Sequence, residues 1–235
     1  MNRAKSLRVV AIAIASLGAL MATSQSVHAD VIYTLDTFTG SGTPTPPPYG
    51  TVNLHQDGAN VDVTVTLSAG EGFVSTGAGA ALTWDLDGEP AVTIVNLDLT
   101  NFAVSHNGTS TGNLDGTGSW FYQIDCIICG SGGSNPYPGP LSFTIENISI
   151  ADFVINNKTA TGYLFASDIC TQMALDGSCA GITGDVVASD IPSQRIPEPA
   201  PVALLGAGLL GFGFFGRPRS AVAKLGKRRQ RCTHA

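Results

Sequence analysis

Seven consecutive residues, Val61-Asp62-Val63-Thr64-Val65-Thr66-Leu67, alternate apolar and polar side chains with period two. Only an extended strand places every second residue on one face, and β-branched side chains suit that pleated surface. A strand with one apolar face needs neighbours, so this stretch demands a sheet. Thr51 to Gln56 precedes it across Asp57-Gly58, which predicts a hairpin. Further strands are predicted at Val31 to Phe38, Ala81 to Leu86, Val92 to Leu97, Phe102 to His106, Trp120 to Ile124, Leu141 to Ile150, Phe153 to Ile155 and Thr161 to Phe165. Turns are predicted at Asp87-Gly88, Asn107-Gly108, Asp115-Gly116 and Asn156-Asn157. Thr43 to Pro48 reads as an extended Pro/Thr loop. No long segment before residue 200 shows helical periodicity. The expected fold is all-β: an antiparallel β-sandwich or jelly-roll-like single domain over residues 30–195.

Charge separates that domain from its flanks. Residues 30–195 hold 14 Asp and 3 Glu against Lys158 and Arg195, a net charge of −15. The whole-chain value of −6 conceals this, because ten of the twelve cations lie in the two ends. So acidic a domain repels phosphate backbones, which excludes nucleic acid as a partner. At the N-terminus Arg3, Lys5 and Arg8 precede an apolar run from Val9 to Ala22, and Val27-His28-Ala29 offers small residues. This is the pattern of a signal peptide, cut by signal peptidase between Ala29 and Asp30.

The C-terminal 40 residues, 196–235, have a second pattern. Ile196-Pro197-Glu198-Pro199 is followed by an apolar run from Ala200 to Gly216, then by Arg217, Arg219, Lys224, Lys227, Arg228, Arg229 and Arg231 with no acid among them. Seventeen helical residues reach roughly 25 Å, enough to enter a membrane as a transmembrane helix. The cationic tail resists translocation and stays on the cytoplasmic side. The prolines lock φ and remove backbone donors, keeping the motif extended and accessible. Gly206-Ala207-Gly208-Leu209-Leu210-Gly211 matches the spacing of a dinucleotide loop but lacks its strand, its βαβ unit and its downstream acid. Small residues at Ala203, Ala207 and Gly211 suit close helix packing in lipid.

Motif, apolar span and basic cluster in this order resemble the PEP-CTERM sorting signal of Gram-negative bacteria. The residues that carry the resemblance are Pro197-Glu198-Pro199, the run from Ala203 to Gly213, and the arginines beyond. The resemblance implies a partner: exosortase, a transpeptidase-like integral membrane enzyme that recognises and cleaves near the motif. It also implies docking in the inner membrane, then delivery to the cell surface or to an exopolysaccharide-rich biofilm matrix. The tail departs from the family pattern by running well past its first arginines and carrying Cys232.

Chemistry inside the domain is sparse. Cys126, Cys129, Cys170 and Cys179 form an even set in an exported chain, which favours disulfides. Of three pairings, Cys126–Cys129 with Cys170–Cys179 closes two local loops, and the crossed pairings also fit. A four-thiolate zinc site would need a tighter second pair. A redox Cys-x-x-Cys would need to open a helix, which Gly130 to Pro136 prevents. His55 and His106 read as surface or hydrogen-bonded residues. Asp85-Leu86-Asp87-Gly88 is a strand entering a turn, half of a calcium loop without its distal Glu, or a carboxylate pair for glycoside hydrolysis. Trp84, Trp120, Tyr122 and Tyr137 are candidates for sugar stacking. No catalytic residue, cofactor motif or metal-ligand set is predicted. The expected role is that of a non-enzymatic envelope or matrix protein. A carbohydrate- or calcium-binding module is the alternative, and a secreted carboxylate hydrolase comes third.

Overall fold

The computed structural model describes residues 30–77, 79–114, 116–155, 162–189 and 194–196. They form β1 (Asp30–Leu35), β2 (Thr37–Phe38), β3 (Gly50–Asp57), β4 (Asn60–Leu67), β5 (Gly72–Phe73), β6 (Ala80–Leu86) and β7 (Thr93–Val95). There follow β8 (Phe102–Leu114), β9 (Gly118–Cys126), β10 (Leu141–Glu146), β11 (Phe153–Val154), β12 (Tyr163–Cys170), β13 (Thr183–Ser189) and β14 (Gln194–Ile196), with one 3-10 turn at Ile150–Asp152. The predicted signal peptide and the segment beyond Ile196, with its predicted membrane helix, lie outside the described residues. Among the described residues no helix is long and apolar enough to cross a membrane.

The chain is all-β, and its strands pair antiparallel in two sheets. One follows the order β14-β1-β3-β4-β10-β7; the other runs β2-β13-β12-β6-β9-β8, with β11 on β6 and β5 on β12. The hairpin that opens the first sheet follows from its sequence. Asp57 faces Asn60, leaving Gly58 and Ala59 as the loop, and Gly58 supplies the φ of +61° that a two-residue II′ turn needs at its first position. Along β4 Val61, Val63, Val65 and Leu67 are buried while Asp62, Thr64 and Thr66 are not. Burying each such side chain stabilises the fold by about 1.5–3 kcal/mol relative to exposure. One core takes Leu54, Val63, Val65 and Phe143 from this sheet and Trp84, Tyr122, Ile124 and Phe165 from the other.

β6 is buried at all seven positions because both of its faces are covered. The outer cover is the far end of the β8–β9 hairpin. Leu114 and Trp120 pack on Ala80 of β6, Ala166 of β12 and Val187 of β13. A Cβ on Gly116, in the hairpin turn, would stand 3.4 Å from the Thr39 hydroxyl, just past β2 at the opposite sheet edge. The hairpin therefore folds back across its own sheet. Trp120 Nε1–H donates to Thr117 Oγ1 at 3.0 Å beneath it.

Several predicted boundaries are corrected. Val31 to Phe38 is not one strand: the chain changes sheets at Asp36, whose N–H donates to Val187 O at 3.2 Å. Asn107-Gly108 is not a turn but lies within β8, where the ladder register shifts. The Asn107 side chain explains this. It accepts from Val92 N–H at 3.0 Å and donates to Val92 O at 2.7 Å, so it serves a neighbouring segment rather than its own backbone. Val92 to Leu97 shortens to β7, and Leu141 to Ile150 ends as a strand at Glu146. β12 runs five residues past Phe165 to Cys170. β5, β13 and β14 are not predicted; β13 buries Asp185 and Val187 on one face and Val186 and Ala188 on the other, which erases its alternation. Asn156, Asn157 and Asp115 lie outside the described residues.

Candidate functional site

Ala29 and the motif Pro197-Glu198-Pro199 lie outside the described residues. Their immediate neighbours do not, and those neighbours meet. Asp30 opens β1, Ile196 closes β14, and the two are Cα partners in the antiparallel ladder. The Asp30 carboxylate also pairs with Nδ1 of His55, its opposite number on β3. That gives His55 a structural partner; a surface pair of this kind contributes about 0–1 kcal/mol. His106 Nδ1 lies 2.9 Å from Ser110 Oγ on the same strand.

Both disulfides sit at the other end of the domain. Cys126 is joined to Cys129 and Cys170 to Cys179, with Cα–Cα distances of 5.4 and 5.7 Å. β9 and β12 both run antiparallel to β6, so Cys126 and Cys170 close strands that end on the same side. With its thiols joined in this way, the set offers no thiolates to zinc and no free Cys-x-x-Cys. Within the loops Ile127, Ile128 and Leu175 are exposed. Hydrogen bonds close the Leu175 turn: Ala174 N–H donates to Ser178 O at 2.8 Å, and the Asp176 carboxylate accepts from the Ser178 hydroxyl and N–H at 2.7 and 3.0 Å. Those two bonds, hydroxyl first, hold Asp176 below the usual carboxylate range. An open trough of about 570 Å³ lies between the loops, floored by Gly132, Gly133, Gly181 and Thr183. Replacing Cys170 and Cys179 by serine should cost about 3 kcal/mol and replacing Cys126 and Cys129 about 2 kcal/mol, because the longer loop frees more unfolded-chain entropy. Urea unfolding of the two variants measures the order, and equal losses would contradict it.

The acids of the β6 turn surround a second cavity of about 280 Å³ with Leu86, Val154 and Ile155. The structure brings Asp85, Asp87 and Glu89 to it, yet gives them unlike surroundings. Asp85 is buried and accepts Phe121 N–H at 2.7 Å. Asp87 is exposed, and Gly88 and Glu89 carry φ of +70° and +51°. Nearby, Tyr122 O–H donates to Pro90 O. Burial, reinforced by the charges of Asp85 and Glu89, pushes the Tyr122 phenol up to about 12. Among the described residues no three His, Cys, Asp or Glu side chains converge as metal ligands.

The aromatic candidates are corrected. Trp84, Trp120 and Tyr122 are buried, and Tyr137 is half-buried with its ring against Phe102. The three buried rings present no open face for a sugar. Sequence reasoning also missed three buried carboxyls. Asp168 and Asp185 face each other across β12 and β13, and Asp168 accepts from Thr76 N–H at 2.6 Å. Glu71 lies at the end of the β4 turn with only 5% of its surface exposed. An acid inside an apolar strand, as in Ser167-Asp168-Ile169, was the available signal. Compared with family models, curated proteins and solved structures, the chain has no match.

Proposed function

We propose that this chain is an exported surface or extracellular-matrix protein with a structural or adhesive, non-enzymatic role. In this reading its two sheets are the layers of a β-sandwich, jelly-roll-like in its crossovers. Signal peptidase cuts before Asp30, the C-terminal helix docks the chain in the inner membrane, and an exosortase-like enzyme cuts near Pro197-Glu198-Pro199. The observation that carries the reading is the β1–β14 pairing. It brings Asp30 and Ile196, the neighbours of the two proposed cuts, to one end of one sheet, which suits cuts made at the margin of the fold rather than through its core. Two disulfides also suit an oxidising compartment. The distal end, with its disulfide loops, would then point away from the membrane toward exopolysaccharide or other matrix partners.

Mass spectrometry of secreted protein should find an N-terminus at Asp30 and a C-terminus near residue 197. Changing Pro197, Glu198 and Pro199 to alanine should hold the protein in the membrane fraction. Secretion of the triple variant at the normal level, or an intact basic tail outside the cell, would overturn the sorting claim. The acid-lined cavity at the β6 turn favours a second reading, a calcium-binding module. Calorimetry with calcium separates the two readings: heat that is lost in Asp87→Asn would favour the module.

A further inference from the structure

We infer that Glu71 is a proton-sensitive clasp at the corner where the chain passes from one sheet to the other. β4 ends the first-sheet hairpin at Leu67, and β5 begins on β12 of the other sheet at Gly72. Glu71 stands between them. It is almost fully buried, and its Oε2 has no hydrogen-bond partner. A buried carboxylate without a partner is costly, and a neutral carboxyl there costs far less. The surrounding elements bring Thr45 and Tyr49 from the proline loop, Ser68 and Gly70 from the turn, and Thr171 and Met173 from the end of β12. Of these, only the Tyr49 phenol titrates, and the charge of Glu71 raises it further.

The corner is fastened beside Glu71. The Glu71 N–H donates to Ser68 O at 3.1 Å, and Met173 N–H donates to Gly70 O at 2.6 Å. The Thr45 hydroxyl donates to Thr171 O at 3.2 Å, tying the proline loop to the start of the Cys170–Cys179 loop. A neutral carboxyl fits that closed corner, whereas an ionised one draws water or a donor into it and loosens those bonds. Burial raises the Glu71 carboxyl to about 7. The sign follows: stability is full below the unfolded value near 4.5 and is lost as pH rises to about 7. The corner is tight in acid and looser at neutrality.

The test compares the full chain with Glu71→Gln by denaturant unfolding from pH 4.5 to 7.5. The unfolding constant of the unaltered chain should rise on the order of 100-fold more than that of the variant. Amide protection at Met173, whose N–H donates to Gly70 O at 2.6 Å, should fall over the same range and stay level in the variant. Parallel pH profiles for the two proteins would overturn the inference. Carbon-13 titration of the Glu71 carboxyl in the unaltered chain tests it without any variant. A midpoint in the ordinary carboxylate range would overturn it equally.

Discussion

Trp84→Ala is expected to lower stability by about 3–5 kcal/mol, a large part of what a domain this size has. Trp84 lies on β6 and is fully buried. Its ring stacks on Tyr122 of β9 at 5.5 Å and 15°, and on Phe143 of β10 at 5.3 Å and 29°. β9 is in the same sheet and β10 in the other, so one indole fills the space between the layers. Truncation leaves a cavity that neighbouring strands, held by their ladders, cannot close. A shift in Tm of roughly 10 °C should follow. Trp84 Nε1–H has no acceptor in its buried site. Trp84→Phe therefore removes an unsatisfied donor along with some volume, and should cost less than about 1.5 kcal/mol. Thermal melts of the pair decide the matter: equal losses would mean that volume is not what Trp84 contributes.

Trp120→Ala is the second large effect, also about 3 kcal/mol, but of a different kind. Trp120 is the largest side chain in the small cluster between the folded-back hairpin and the outer face of its sheet. Without it Leu114 is the one large apolar side chain that the described part of the hairpin keeps over Ala80, Ala166 and Val187. Thr117 loses the N–H that it accepts. The hairpin should come away before the rest unfolds, exposing residues 112–120 to protease while the main core survives. Limited proteolysis with amide exchange reads this directly. Uniform loss of protection across both sheets would mean that the hairpin is part of one cooperative unit with the core.

The hairpin β3–β4 and the one-sided burial of β4 were legible because local signals agreed: period-two alternation, β-branched side chains and a turn glycine in the place a short loop requires. Asn107-Gly108 failed for the reason that Asn is ambiguous. Its amide can close a turn or bridge to another segment, and here Val92 takes it. β13 was hidden because burial on both faces leaves no alternation to see. The local disulfide loops follow cysteine spacing, but the shared side on which they end depends on strand direction around β6. The clasp at Glu71 was out of reach altogether. Nothing in Ser68 to Gly72 announces that Thr45 and Thr171 arrive beside it from 26 residues before and 100 after.

The meeting of Asp30 and Ile196 has a mechanical corollary. Adjacent antiparallel strands that are pulled from the same end do not share the load along their length. Tension between those two points would open the β1–β14 ladder one rung at a time, like a zipper, at low force. A domain gripped at both ends is thus fragile there, whereas one gripped at a single end carries no tension across that seam. Releasing one tether would leave that seam unloaded.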